Sequence, residues 1–193
     1  MKSSRYTICF YLIATLGILT MITGCDKNDS RMDYGYTKIY MPQAALANLN
    51  VLVPSGRDSA TNNYTIDATR VNVLLGVSRS GKADAGSYSV GVTVRADTIA
   101  QMITAGTIKV DPDRTKDVVL LPADAYNLVQ SVSVPDGQTS APFAVSIDKA
   151  KLRTYAGKKV ALAVELTNPS NYSLNKALNK VVIIINVDAL KLS

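Results

Sequence analysis

From Val71 to Val94 the chain repeatedly alternates apolar and polar residues with period two. Such alternation folds into strands buried on one face. Val71, Val73, Leu75 and Val77 share one side of the first stretch, and in the second Tyr88, Val90, Val92 and Val94 oppose Ser89, Gly91, Thr93 and Arg95. Val181 to Ile185 is instead continuously apolar, the pattern of a strand covered on both faces. Lys38–Met41, Asn48–Val53, Asn63–Ile66, Val118–Leu121, Gln130–Val134, Ala141–Ile147 and Val160–Leu166 read as further strands, with Pro, Gly and Asn residues in the turns.

Pro135-Asp136-Gly137-Gln138 builds a reversal into the sequence, because Pro presets φ and Gly accepts φ > 0. The flanking strands, 130–134 and 141–147, therefore read as a hairpin. The period changes over Asp97–Ile103, where a short helix is expected with Asp97 as N-cap and Gly106 as its stop. Helical turns are expected at Pro122–Tyr126 and Asp148–Tyr155. Seven or eight strands with one or two short helices predict an all-β fold, an antiparallel β-sandwich. An up-and-down barrel is the competing topology.

The N-terminus follows a different logic. Lys2 and Arg5 precede an apolar run from Ile8 to about Ile22, and Thr23-Gly24 stand directly before Cys25. This is the layout of a secretory signal. The run falls short of the roughly 18 to 20 residues that span a bilayer, and Asp26-Lys27-Asn28-Asp29 follows it in place of a basic stop-transfer cluster. Ile22-Thr23-Gly24-Cys25 resembles the lipobox of bacterial lipoproteins, which implies cleavage after Gly24 and acylation of Cys25. The expected organisation is a signal peptide over 1–24, a lipidated flexible tether over 25–35 and one β-sandwich domain over 36–193. Asp26 and Asp29 fit the acidic surface-export signal of Bacteroidetes lipoproteins. The expected location is the outer membrane, at the cell surface or the periplasmic face.

Composition removes many functions. Without residues 1–24 about 170 remain, a usual size for one domain. There is no histidine, hence no Ser-His-Asp or Cys-His pair and none of the commonest transition-metal ligand. Cys9 leaves with the signal and Cys25 is lipidated, so no thiol remains for chemistry. The formal charge of +6 includes Lys2 and Arg5, and the basic residues of the mature chain are scattered among Asp. That distribution reads as a solvated surface, and nucleic acid is not an expected partner of an exported protein.

Residues 117–187 carry a recognisable order of motifs. Leu120-Leu121-Pro122, Tyr126, Val134-Pro135-Asp136-Gly137-Gln138 and Leu166-Thr167-Asn168-Pro169-Ser170, together with Ile39-Tyr40-Met41-Pro42-Gln43, resemble a Bacteroidetes lipoprotein domain of unknown function. The resemblance implies an immunoglobulin-like sandwich of the kind found at the N-terminus of glycan-utilisation proteins, including some with family-18 glycosidase modules. No glycosidase barrel is present in residues 36–193, so that activity does not carry over.

Three constellations bear on chemistry. Asp111-Pro112-Asp113-Arg114-Thr115-Lys116-Asp117 has D-x-D spacing, but an EF-hand loop begun at Asp111 would place Lys116 and Pro122 where Gly and Glu are required. It reads as a solvated turn, and no metal or other cofactor is expected. A glycosidase needs two carboxyl groups about 5–10 Å apart, and the mature chain has one Glu, Glu165, placed mid-strand and expected on the solvent side. The protein is therefore not expected to be an enzyme. Sugar platforms use aromatic rings, and there is no Trp. Tyr64 beside Asn62 and Asn63, and Tyr172 beside Asn171 and Asn175, form the candidate glycan site, whereas Tyr88 and Tyr126 are expected in the core. The expected role is an accessory module that binds glycan or an outer-membrane protein partner, held to the membrane by its lipid. The alternative is an adhesin-like or pilus-associated module assembling through a sheet edge.

Overall fold

The computed structural model describes residues 37–45, 50–53, 64–81, 86–108 and 118–192, all within one unit spanning Gly35–Ser193. The signal, Cys25, the tether, Asn62, Asn63 and the Asp111–Asp117 turn lie outside the described residues. Twelve strands are described, in two sheets. The first runs β11 (Ser173–Leu174), β1 (Lys38–Tyr40), β4 (Arg70–Arg79), β9 (Ser140–Asp148) and β7 (Tyr126–Leu128), with β3 (Tyr64–Ile66) also beside β4. The second runs β2 (Asn50–Val53), β12 (Lys180–Asn186), β10 (Lys159–Thr167), β5 (Tyr88–Val94) and β8 (Ser131–Val134), with β6 (Val118–Leu120) also beside β10. The chain is an all-β sandwich; the described strands form two sheets and do not close into one barrel.

The alternation places the core. Val71, Val73, Leu75 and Val77 of β4 meet Val160, Leu162, Val164 and Leu166 of β10 and Val181, Ile183 and Ile185 of β12 in one buried cluster between the sheets. On the other face of β10 and β12, Ala161, Ala163 and Ile184 pack under Ile99. Ile99 belongs to α2 (Ala96–Thr104), which explains why the 181–185 run is apolar at every position. The helix ends as expected: Gly106 takes φ +61 and the Thr107 N–H donates to the Met102 carbonyl at 3.0 Å, the left-handed stop that glycine permits. Asp97 is not its N-cap. Arg95 holds that position, and Asp97 stands in the first turn, where a negative charge suits the helix dipole. Two shorter helices, α1 (Pro42–Ala45) and α3 (Lys149–Arg153), and 3-10 turns at Ala123–Ala125 and Asp188–Leu190 complete the described elements. That makes three α-helices where one or two were expected.

Two further expectations, about strand pairing, are corrected. Three strand pairs are parallel (β1 with β11, β2 with β12, β6 with β10), so the sandwich is mixed rather than wholly antiparallel. Each of these pairs joins segments far apart in sequence, as parallel neighbours require. The 130–134/141–147 hairpin is also not a hairpin: β8 pairs with β5 and β9 pairs with β4 and β7. The turn forms, with the Gln138 N–H donating to the Pro135 carbonyl at 3.2 Å and Gly137 at φ +79. It carries the chain from one sheet to the other, because Val132 and Val134 must face Phe143 and Val145 across the core.

Candidate functional site: a hydroxyl-lined face of the second sheet

Burial of Tyr88, Val90 and Val92 sends Ser89, Gly91 and Thr93 of β5 to the outer face. The same rule sends Ser131 and Ser133 of β8 outward, opposite Val132 and Val134, and Glu165 and Thr167 of β10 outward, opposite Val164 and Leu166. Register then assembles a patch. Ser89 lies opposite Ser133, Gly91 lies opposite both Ser131 and Thr167, and Thr93 lies opposite Glu165. Three adjacent strands, about 4.8 Å apart, thus present small hydroxyl side chains side by side. Gly91 is required for this packing: a Cβ there would stand 2.6 Å from Thr167 Oγ1 and 3.2 Å from the Thr167 carbonyl.

Beyond β10 the loop 168–172 extends the patch. Ser170 N–H donates to the Ser89 carbonyl and Ser89 N–H donates to Ser170 Oγ, both at 2.9 Å. Asn168 and Tyr172 hold positive φ, 44° and 63°. Asn tolerates this conformation, but for Tyr it is an outlier that tertiary contacts must hold. The Tyr172 ring meets Tyr88 edge-on, with centroids 5.8 Å apart and an interplanar angle of 82°. The Arg79 guanidinium carbon lies 5.3 Å from the Tyr172 ring centroid. Tyr172 Oη accepts from the Gly86 N–H at 3.3 Å and lies 3.5 Å from Arg79 Nη1. Beneath it, burial pushes the Tyr88 phenol above its ordinary pKa, and that hydroxyl donates to the Thr139 carbonyl at 3.1 Å. Against this anchor a groove of about 280 Å³ opens between Ser87, Ser89, Ser133, Ser170 and Pro135.

The opposite end of the patch is charged and internally paired. Arg95 donates through Nε and Nη2 to Asp97 at 3.0 and 2.7 Å, and through Nη1 to Glu165 Oε2 at 2.9 Å. Glu165 Oε1 lies 4.0 Å from Lys180 Nζ and accepts from Asn179 Nδ2 at 3.4 Å. Glu165 does face outward, but Arg95 covers it, leaving 15% of its side chain exposed. Hydrogen bonding to Arg95 draws the Asp97 carboxyl down to about 2 from an ordinary 3.8. A glycosidase acid needs the opposite shift. Because the folded value is depressed, this contribution to stability is complete above about pH 4 and is lost as pH falls towards 2. Acid titration of unfolding should therefore show a stability loss across that window that is smaller in Asp97→Asn; identical profiles would contradict the pairing.

The two tyrosines expected to bind sugar are not brought together. Tyr64 begins β3, half-buried against the core and opposite Val73, while Tyr172 sits at the Arg79 end of β4. Six residues of strand between those points correspond to about 20 Å. Tyr172 turns inward as an anchor. Asn171 is exposed, and its Oδ1 accepts from the Tyr172 N–H at 2.9 Å. Asn175 accepts from the Ala177 N–H at 3.1 Å and donates its own N–H to the Ile39 carbonyl at 2.8 Å. Tyr88 is in the core as expected, and Tyr126 packs against it. Among the described residues no group of three or more acidic, Cys or His side chains could hold a metal. No described helix is long and apolar enough to cross a membrane.

Residues 34–173 match the model of a family described as "-like, N-terminal domain". The chain belongs to that family. Several of the solved structures similar to this N-terminal-domain member come from Bacteroides, in keeping with the sequence resemblance. One is a two-domain protein of unknown function from Bacteroides fragilis NCTC 9343, 8% identical with TM-score 0.51, with 78% of this chain and 45% of that one covered. A second, from Bacteroides ovatus and also of unknown function, is 14% identical with TM-score 0.50, covering 78% and 46%. A third, an auxiliary nutrient binding protein from Bacteroides thetaiotaomicron VPI-5482, is 20% identical with TM-score 0.47, covering 70% and 42%. The chain spans less than half the length of each of the three, and at these identities the likeness is one of fold. No curated protein matches the chain.

Proposed function

We propose that this domain is a non-catalytic accessory module of a lipid-anchored cell-envelope protein, and that it binds glycan on the hydroxyl face of the second sheet. The observation that carries the reading is the register that sets Ser89, Ser133, Ser131 and Thr167 around Gly91. A hydroxyl donates one hydrogen bond and accepts two, the complement of a sugar hydroxyl, and short side chains leave room for the ring. The loop 168–172, with Asn171 at its tip and Tyr172 as its inward anchor, shapes the groove end. Four such hydrogen bonds contribute about 2–6 kcal/mol net, which corresponds to binding around the millimolar range. Display of many copies on one membrane would raise the effective affinity. The anchor is Cys25, at the outer membrane, facing either the surface or the periplasm.

Affinity electrophoresis of the full-length protein in gels containing soluble polysaccharides tests this. Retention by one polysaccharide, weakened at least threefold in a Ser131→Ala/Ser133→Ala variant, is expected. Loss in Tyr64→Ala alone would move the site to the β3 end.

A second reading, partner binding by strand addition, has its own observation. Among the described strands β8 ends its sheet, and Val129 to Pro135 carries no charge. Ser89 turns its backbone groups to Ser170, and the Val92 N–H donates to Gln130. By alternation Ser131 and Ser133 therefore turn their N–H and C=O groups off the edge. Those four groups offer about 2–6 kcal/mol, no more than the four hydroxyl contacts of the glycan reading. β8 supplies only the four residues Ser131–Val134 to such a pairing, and this reading ranks second.

A further inference from the structure

The charged end of the hydroxyl face limits what that face can accept. From Ser87 through Thr93 of β5, and across Ser131, Ser133, Thr167 and Ser170, there is no Asp, Glu, Lys or Arg. At the groove end the exposed Asp136 follows Pro135 and accepts from the Gly137 N–H at 3.0 Å. At the opposite end stand Arg95, Asp97, Glu165 and Lys180, two of each sign. They are committed to one another. Arg95 spends Nε and Nη2 on Asp97 and Nη1 on Glu165, at 2.7 to 3.0 Å. Lys180 Nζ is shared between Glu165, at 4.0 Å, and Thr98 Oγ1, at 3.3 Å.

An arginine next to a sugar site is ordinarily the group that selects an acidic sugar, because its planar fork binds a carboxylate in two places. Here that fork already holds a carboxylate in two places. A uronic acid or sulfated sugar reaching Arg95 would have to displace Asp97 or Glu165 and then lie against the carboxylate it had displaced. Like charges at such separations repel, whereas an uncharged sugar meets only hydroxyl groups and a neutralised cluster. We infer, resting on the glycan reading above, that the ligand of this face is an uncharged glycan, and that Asp97 and Glu165 act as specificity residues that turn acidic glycans away by occupying Arg95.

The test compares a panel of α- and β-linked neutral glucose tetrasaccharides with tetragalacturonate, each titrated into the full-length protein in detergent and read by ligand-observed NMR. Wild type should bind a neutral tetrasaccharide at least tenfold more tightly than tetragalacturonate. That binding should change less than twofold between 20 and 200 mM salt, because a neutral ligand leaves no ion pair to screen. In an Asp97→Asn/Glu165→Gln variant the guanidinium is released, and the acidic-to-neutral affinity ratio should rise at least tenfold. Wild type that prefers tetragalacturonate, or whose binding falls steeply with salt, would overturn the inference while leaving the glycan reading intact. Binding of neither class would remove both. The wild-type comparison and the salt series stand even if the double variant does not fold.

Discussion

Replacing Cys25 with alanine is expected to move the protein from the membrane pellet to the soluble fraction and to abolish incorporation of labelled palmitate. The reason is additive burial of methylene groups. Each contributes about 0.8 kcal/mol, so a single chain binds a membrane marginally while two or more hold it stably. The stretch before Cys25 has too short an apolar run to substitute as a membrane span. The effect should be close to all-or-none in a cell fractionation followed by immunoblotting. A Cys25→Ala protein that stays in the pellet after a carbonate wash would show that something other than this cysteine holds it there.

Leu162→Ala should cost about 2–5 kcal/mol of folding stability, the range for removing a fully buried leucine and leaving part of its volume empty. Leu162 is inaccessible, lies opposite Ile183 in the middle of the second sheet and belongs to the cluster that joins both sheets. Against a total of about 5–15 kcal/mol for a domain, such a loss removes a large share. Urea unfolding followed by circular dichroism should show a lower midpoint with little change in slope. A cost under about 1 kcal/mol would mean that β10 is not the central strand of the core. Leu120→Ala makes the matched control. That side chain is 37% exposed, so its truncation should cost under about 1 kcal/mol.

Much of the β-architecture could be read in advance because it depends on a local period. The alternation over β4 and β5 assigns each side chain to a face without knowledge of any neighbour, and Asp148 marks the start of α3 in the same local way, accepting from Ala150 and Lys151 N–H. What pairs with what is non-local. The turn at 135–138 specifies a reversal, yet nothing within it says whether the next strand joins the same sheet or the facing one. The hydroxyl face was hidden for the same reason. Ser89, Ser131 and Thr167 are each unremarkable on their own strands, and only the register gathers them. Arg95 and Glu165 are 70 residues apart, and no spacing rule links them.

The tyrosines show the opposite error, in which a local rule overreaches. Tyr172 sits among Asn and Ser residues and reads as an exposed loop ring. In the fold Tyr88 and Arg79 lie beneath it, and their contacts offset the strain of a left-handed backbone. An aromatic residue in a polar loop therefore signals an anchor as readily as a platform, and composition cannot separate the two.

The most direct test of the central claim is an amide chemical-shift map of the isotopically labelled protein during titration with a neutral oligosaccharide panel. Shifts at Ser89, Gly91, Ser133 and Ser170 that move together and saturate around the millimolar range are the predicted result. Shifts confined to the neighbourhood of Tyr64, or an unchanged spectrum across the whole panel, would contradict it.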